Sequence, residues 1–305
     1  MRPETARASR RRRLTMVVAV AALVPLGIGS ARAQAAPLLR ARSLAAGAPV
    51  KIFFPSGAIR IESWDRDSIE ARGTIGRGER FYLAGDARGV KLGVMDHVDG
   101  RPVRPSTVVL RVPRRSQVSV KAVDASIDAR DASGWFYSVS GAIRLTGSAS
   151  SIEVESMAGD VSLDVAAPWV RARTGGGTLT IGGAPQDLDA ATVRGALTVN
   201  GAGVVRGRFA SVDGDISFAG APPAGGVLEF SNHAGGVSLA LPNSTSALVE
   251  LSTIVGTISN GLTRVRPVAG QTGRGGTLRL QLGLGAARVT VRTFKGTITL
   301  ARQSP

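Results

Sequence analysis

"GDVSLDVAAPWVRARTGGGTLTIGGAPQDLDAATVRGALTV", residues 159–199, decides the fold class. Gly159, Gly177 and Gly195 each open the same phrase, Gly-x-h-x-h with h apolar, and they stand 18 residues apart. Upstream of each phrase runs a second alternating segment, such as "SIEVES" or "WVRART". Alternation of apolar and polar residues with period two is the signature of a strand with one buried face. Gly, Asn and Pro punctuate the joins, and no stretch downstream of residue 33 shows helical periodicity.

The phrase extends in both directions from this stretch. It reads "GAIRL" at Gly141, "GDISF" at Gly214, "GGVSL" at Gly235, a weaker "GTISN" at Gly256, "GTLRL" at Gly276 and "GTITL" at Gly296, at spacings of 18 to 21 residues. A copy without glycine, "ASIDA" from Ala125, precedes them. A unit of this length with two short strands cannot bury an apolar face alone, whereas stacked units can. The sequence therefore predicts an all-β fold, a β-solenoid of stacked two-strand coils of 18–21 residues. A β-sandwich of hairpins has no need of a fixed period. Ile143 and Leu145, Val161 and Leu163, Leu179 and Ile181, and their equivalents point inward as a narrow aliphatic core. Three residues before the glycine stands Ser, Thr or Asn in eight of nine units, a corner where a side chain can bond the backbone.

The pentapeptide "SGAIR" occurs at 140–144, inside the repeat, and again at 56–60, with no neighbouring unit at the repeat spacing. The chain accordingly divides into residues 1–33, 34–117 and 118–305: a secretory signal, an N-terminal β cap that starts the stack, and the repeat domain. The signal rests on the basic run Arg10 to Arg13, the apolar segment Leu14 to Ile28 and the small residues "SARA" at 30–33. The flanking "SRRRRLT" is similar to a twin-arginine signal. No later apolar segment reaches the ~20 residues of a membrane span. The expected location is outside the cytoplasm, in the periplasm or at the cell surface.

The chain has no cysteine and two histidines, His97 and His233. That composition excludes thiolate metal sites and iron–sulfur clusters, and neither histidine stands at a metal-ligand or triad spacing. No phosphate-binding loop or dinucleotide fingerprint is present, so no cofactor is expected. The net charge of +16 falls to +10 without residues 1–33, with basic ends around an acidic middle. Such a balance suits acidic envelope polymers or anionic lipid; the basic residues are too scattered for nucleic acid.

Candidate chemistry lies on outward strand positions. Asp160 and Asp215 share the place after glycine but are three coils apart, ~14 Å, too far for glycoside chemistry. Glu153 and Glu155 face outward on one strand, ~7 Å apart and inside that window. One coil earlier the same positions hold Trp135 and Tyr137, and one coil later Arg171 and Arg173. The row continues with Asp189, Arg208 and Glu229, which reads as a cross-strand charge ladder. These six residues, Trp135, Tyr137, Glu153, Glu155, Arg171 and Arg173, form the candidate binding patch, unless segment 64–117 folds over the aromatic pair.

"VKIFFPSGAIRIESWDRDSIEARG" (residues 50–73), "VVLRVPRRSQVSVKAVDASIDA" (residues 108–129) and the serial S-x-x-G-D-h-x-h units give the chain its resemblance. It resembles the bacterial "putative adhesin" family of exported β-strand-repeat domains of unknown function. The resemblance implies an exported β-solenoid and supplies no catalytic motif. The Ala125 copy and the Arg-rich segment 72–115 depart from the pattern. Three functions stay open on the sequence: a non-enzymatic envelope or cell-surface binding protein, adhesin-like, whose partner is an envelope glycan or another envelope protein; a polysaccharide-active enzyme using Glu153 and Glu155; and a structural or stress-response component of the envelope. The sequence carries no signal of oligomeric state.

Overall fold

The alternation that recurs along the chain folds into two ladders of short strands. A computed structural model describes residues 36–95, 100–201, 203–270 and 273–303; the leader expected at 1–33 and His97 lie outside them. The described residues are all-β, with no helix among them, and form one long mixed sheet of 25 strands that does not close into a barrel.

The first ladder, row A, stacks Ser133–Ser138, Ile152–Ser156, Trp169–Thr174, Asp187–Thr192, Arg206–Ser211 and Val227–Asn232 in parallel. The second, row B, stacks Ile143–Ser148, Val161–Ala166, Leu179–Gly183, Leu197–Asn200, Ile216–Ala219 and Val237–Leu241, also in parallel. The chain alternates between rows, so each unit places one strand in each. Inward side chains of both rows belong to one continuous core, including Ile143, Val161, Leu179 and Leu197 of row B and Val154, Ala172 and Ala190 of row A. Burial of each larger aliphatic side chain contributes about 1.5–3 kcal/mol. Phe209, Phe218 and Phe230 meet at centroid distances of 4.7 to 5.7 Å and thicken the core where the units lengthen. Gly207 makes room for them: a Cβ there would stand 2.6 Å from the Phe209 ring and 2.8 Å from Leu228.

The repeated glycines form a column. A Cβ on Gly159 would run into the carbonyl of Gly141, one on Gly177 into that of Gly159, and so on through Gly195, Gly214 and Gly235. Close backbone approach at the corner, rung upon rung, is why the residue recurs. The corner residues Ser156, Thr192, Asn232 and Thr253 bond at this turn; Ser156 donates to the Gly159 carbonyl at 2.7 Å and the Asn232 amide donates to that of Gly214 at 2.9 Å. Ser138, Thr174 and Thr293 do not, and their hydroxyls are buried without a hydrogen-bond partner among the described residues. Asp160, carried by the corner, accepts from both the backbone N–H and the hydroxyl of Thr178 on the next rung, each at 2.8 Å. Those two bonds, the backbone one foremost, hold its carboxyl below the ordinary aspartate range. Asp215 likewise accepts from the Gly236 N–H at 2.8 Å.

Toward the N-terminus two long strands, Pro49–Trp64 and Gln117–Arg130, run parallel to each other and serve both rows without a corner. The first "SGAIR" copy lies on one of them. Ile59 pairs with Ile127, and Ile127 with Ile143, so both copies occupy the same column of row B. Further strands close this end: Gly89–Val94 and Ser106–Pro113 run parallel to Pro49–Trp64, and antiparallel pieces lie outside them. Phe81–Asp86 and Gly89–Val94 extend row A, while Ser106–Pro113, Ser68–Ile75 and Ala36–Ser43 extend row B.

The C-terminal units depart from the sequence reading in two ways. The phrase at Gly276 is not a parallel rung: Gly276–Leu282 lies antiparallel against Ala247–Thr253, with Gly273 in a left-handed turn before it. Leu278 and Leu280 still face inward and Arg279 outward, because alternation encodes a face and carries no strand direction. The last three rungs are also out of chain order. Ala287–Thr293 and Ile298–Arg302 insert between the rung of residues 227–241 and that of residues 247–260. The glycine column follows: Gly296 abuts Gly235, and Gly256 abuts Gly296. The two rungs share period and glycine, so the repeat alone does not distinguish their order.

Candidate binding groove

The six outward residues singled out in the sequence stand as two adjacent columns on the outer face of row A. Trp135, Glu153 and Arg171 are register partners, and so are Tyr137, Glu155 and Arg173. The first column continues through Asp189, Arg208 and Glu229. Arg171 reaches Glu153 at 3.4 Å, Arg173 reaches Asp189 at 3.6 Å and Arg208 reaches Glu229 at 3.7 Å. Arg206 and Asp187 add a pair at 2.9 Å in the neighbouring column. At this exposure each contributes ~0.2–1 kcal/mol. Among the described residues Glu155 makes no ion pair.

Trp135 and Tyr137 stack on each other at 5.6 Å with ring planes 13° apart. Positions i and i+2 on a strand share a face, which brings the rings together. Both rings are half-buried. Their neighbours on the preceding strand are Ser119 and Lys121.

The structure opens a groove of about 330 Å³ at Trp135. Trp135 and Trp169 line it, Lys51 and Glu153 bring opposite charges, and Gln117 and Ser119 supply neutral polar groups. Among the described residues of segment 64–117 Gln117 alone lines it, so those residues do not seal it. Gly134 lies in the floor, where a Cβ would collide with the Val118 carbonyl. Of the candidate patch, Trp135 and Glu153 line the groove, and Tyr137, Glu155, Arg171 and Arg173 lie beside it on the same face. Pro49 and Lys51 also border a second hollow of about 310 Å³, with Lys91 and Gly85 on its far side. Lys91 is the register partner of Lys51, so the two hollows follow one line across the strands.

Trp169 and Lys51 escaped the sequence reading for different reasons. Trp169 precedes Arg171 by two residues on the strand Trp169–Thr174, and extending the same alternation would have placed it on the outward face. Lys51 enters only through the pairing of Pro49–Trp64 with Gln117–Arg130, a contact 68 residues apart that no local pattern announces. Among the described residues no three His, Asp or Glu side chains gather as a metal site, and no helix is long and apolar enough to cross a membrane.

No family model and no curated protein matches the chain. Solved structures do. A "putative adhesin" from Bacteroides fragilis NCTC 9343 is 12% identical, covers 87% of this chain and 97% of its own, and superposes with a TM-score of 0.42. A "putative adhesin" from Parabacteroides merdae ATCC 43184 is 9% identical over 87% of this chain and 96% of its own, with a TM-score of 0.37. A "putative cell adhesion protein" from Clostridium sporogenes ATCC 15579 is 9% identical over 88% of this chain and all of its own, with a TM-score of 0.23. At these values no residue here takes a role from them.

Proposed function

We propose that this chain is an exported β-solenoid that binds a polymer of the cell envelope or cell surface and catalyses no reaction on it. Residues 1–33 serve as the secretory signal, 34–117 as the cap and 118–305 as the stacked repeat. The observation that carries the binding reading is the groove that runs from Lys51 past Trp135 to Trp169. Two indoles on one face, with the Glu153 carboxylate on the strand between theirs and Ser119 and Lys51 on the strands beyond Trp135, suit a ligand that is apolar on its faces and polar at its edges, as a sugar ring is. The line from Lys91 through Lys51, Ser119 and Trp135 to Glu153 and Trp169 crosses five strand spacings, ~24 Å. That length favours an extended chain over a small molecule. Tyr137, Glu155, Arg171 and Arg173 would contact what overhangs the groove.

The test is titration of the purified protein with neutral and acidic envelope polysaccharides. Binding should weaken about tenfold or more in Trp135→Ala and in Trp169→Ala, with the melting curve unchanged. Polysaccharide binding indifferent to both substitutions would remove the groove from the account. Release of shortened product that vanishes in Glu153→Gln would replace the binding protein with an enzyme.

A further inference from the structure

The corner that follows each row A strand carries a second, unrelated feature. The residue after the corner hydroxyl is Val139, Met157, Gly175, Val193, Val212, His233, Phe294 and Ile254 on successive rungs. Hydrogen bonds from one corner to the next fix the column: Ala158 N–H to the Val139 carbonyl, Gly176 to Met157, Arg194 to Gly175, Asp213 to Val193, Ala234 to Val212, Lys295 to His233 and Val255 to Phe294. The apolar members are 37% to 64% exposed, and His233 lies flat on Phe294 at 4.9 Å. Single exposed valines are ordinary, but six large apolar side chains share this column, interrupted only by Gly175 and His233. Val123, 39% exposed, continues it one rung before Val139 through the bond from Ser140 N–H to its carbonyl. A contiguous apolar patch of this size marks an interaction site. It lies at the opposite end of the row A strands from Trp169, ~20 Å from that indole and ~13 Å along the strands from Trp135 and Glu153.

We propose that this ridge is where two copies of the chain associate, antiparallel, about a two-fold axis between the rungs of Val193 and Val212. The side chains are self-complementary about that point. Val193 meets Val212 of the second copy, Gly175 leaves space opposite the His233 ring, Met157 meets Phe294 and Val139 meets Ile254. Beside the axis Arg194 and Asp213 are both exposed, and each would face its opposite on the other copy. An isologous contact requires this pairing of i with j and j with i. From its fractional exposures the ridge offers on the order of 600 Å² per copy, close to the ~800 Å² per partner of a stable interface once the flanking polar residues are added. The grooves stay open in such a dimer.

Sedimentation of the purified chain reads the mass, and cross-linking reads the register. The dimer is expected at micromolar concentration, with dissociation constants raised about tenfold or more in Val193→Asp and in Val212→Asp. Arg194→Asp should weaken it, and adding Asp213→Arg should restore it. The chain has no cysteine of its own, so a mixture of Val139→Cys and Ile254→Cys chains should form a disulfide-linked heterodimer while neither chain links to itself. Three results would overturn the proposal: a monomer up to ~100 μM, a dimer indifferent to both aspartates, or linkage of like with like. A chain that stays monomeric but floats with anionic vesicles through the ridge would assign the surface to lipid instead.

Discussion

Replacing Gly177 with alanine tests the glycine column directly. The new Cβ would stand 2.5 Å from the carbonyl carbon of Gly159 and 2.9 Å from the carbonyl oxygen of Ala158, and closer still to the Gly159 oxygen. Ordinary contact needs roughly 3.5 Å between such atoms, so the rungs must part by about 1 Å. Two bonds beside the corner oppose that movement: Gly176 N–H to the Met157 carbonyl at 2.9 Å and Val161 N–H to the Thr178 carbonyl at 2.8 Å. Stretched by that amount both leave hydrogen-bonding range. At ~1 kcal/mol for each lost bond, with ~1 kcal/mol or more for the groups left unpaired, the substitution should cost about 3 kcal/mol. Gly78→Ala is the control: its φ is +86° and no atom of the described residues lies within 4 Å of the added Cβ, so only the backbone cost of ~1–2 kcal/mol applies. Denaturant titration followed by circular dichroism, with hydrogen exchange at the corner amides, measures both. A Gly177→Ala protein as stable as Gly78→Ala would refute the claim that carbonyl contact selects the residue.

Four further outcomes are expected. Phe209→Ala should lose about 3–5 kcal/mol, because it empties the centre of the three-ring cluster, and denaturation midpoints would show it. Thr174→Val should be neutral or stabilising, since its buried hydroxyl has no partner among the described residues and valine keeps the shape; a loss above ~1 kcal/mol in the same assay would mean the hydroxyl is bonded after all. The Asp160 carboxyl sits below its ordinary range, so its stabilising contribution is complete above the unfolded value and disappears as pH falls through the lower folded one. Asp160→Asn should therefore flatten the acid side of the stability profile measured by melting at stepped pH. Deleting residues 284–305 should expose amides of both the rung of residues 227–241 and that of 247–260 in hydrogen-exchange mass spectrometry, while residues 143–200 stay protected.

The sequence showed the repeat because the constraint behind it is local: each glycine answers to one carbonyl a rung away, and each inward pair to the same narrow core. The face assignments at Ile143, Val161 and Leu179, and the columns at Trp135, Glu153 and Arg171, follow from that regularity. What it concealed depends on direction and order. Leu278 and Leu280 alternate identically whether their strand runs with or against Ala247–Thr253. The phrases at Gly256 and Gly296 share glycine and period, and the one hint of their spatial inversion is Asn260 in the inward place that Leu300 fills, on a rung whose inward positions are only half-buried. The groove was half visible for the same reason. Trp135 and Glu153 belong to the regular columns, whereas Lys51 arrives on a strand with no corner and no repeat spacing.

The inverted order at the C-terminus also changes how the chain would bear load. In a stack laid down in order the last strand has one neighbour, and tension on the terminus peels it away a bond at a time. Here the last described strand, Ile298–Arg302, is paired on both edges, with Val237–Leu241 and Ile258–Asn260, and Ala287–Thr293 before it is likewise held between Val227–Asn232 and Ala247–Thr253. A pull along the strand axis must shear both sets of bonds together, while row A continues past the rung of residues 247–260 into the antiparallel strands Gly276–Leu282 and Val268–Ala269.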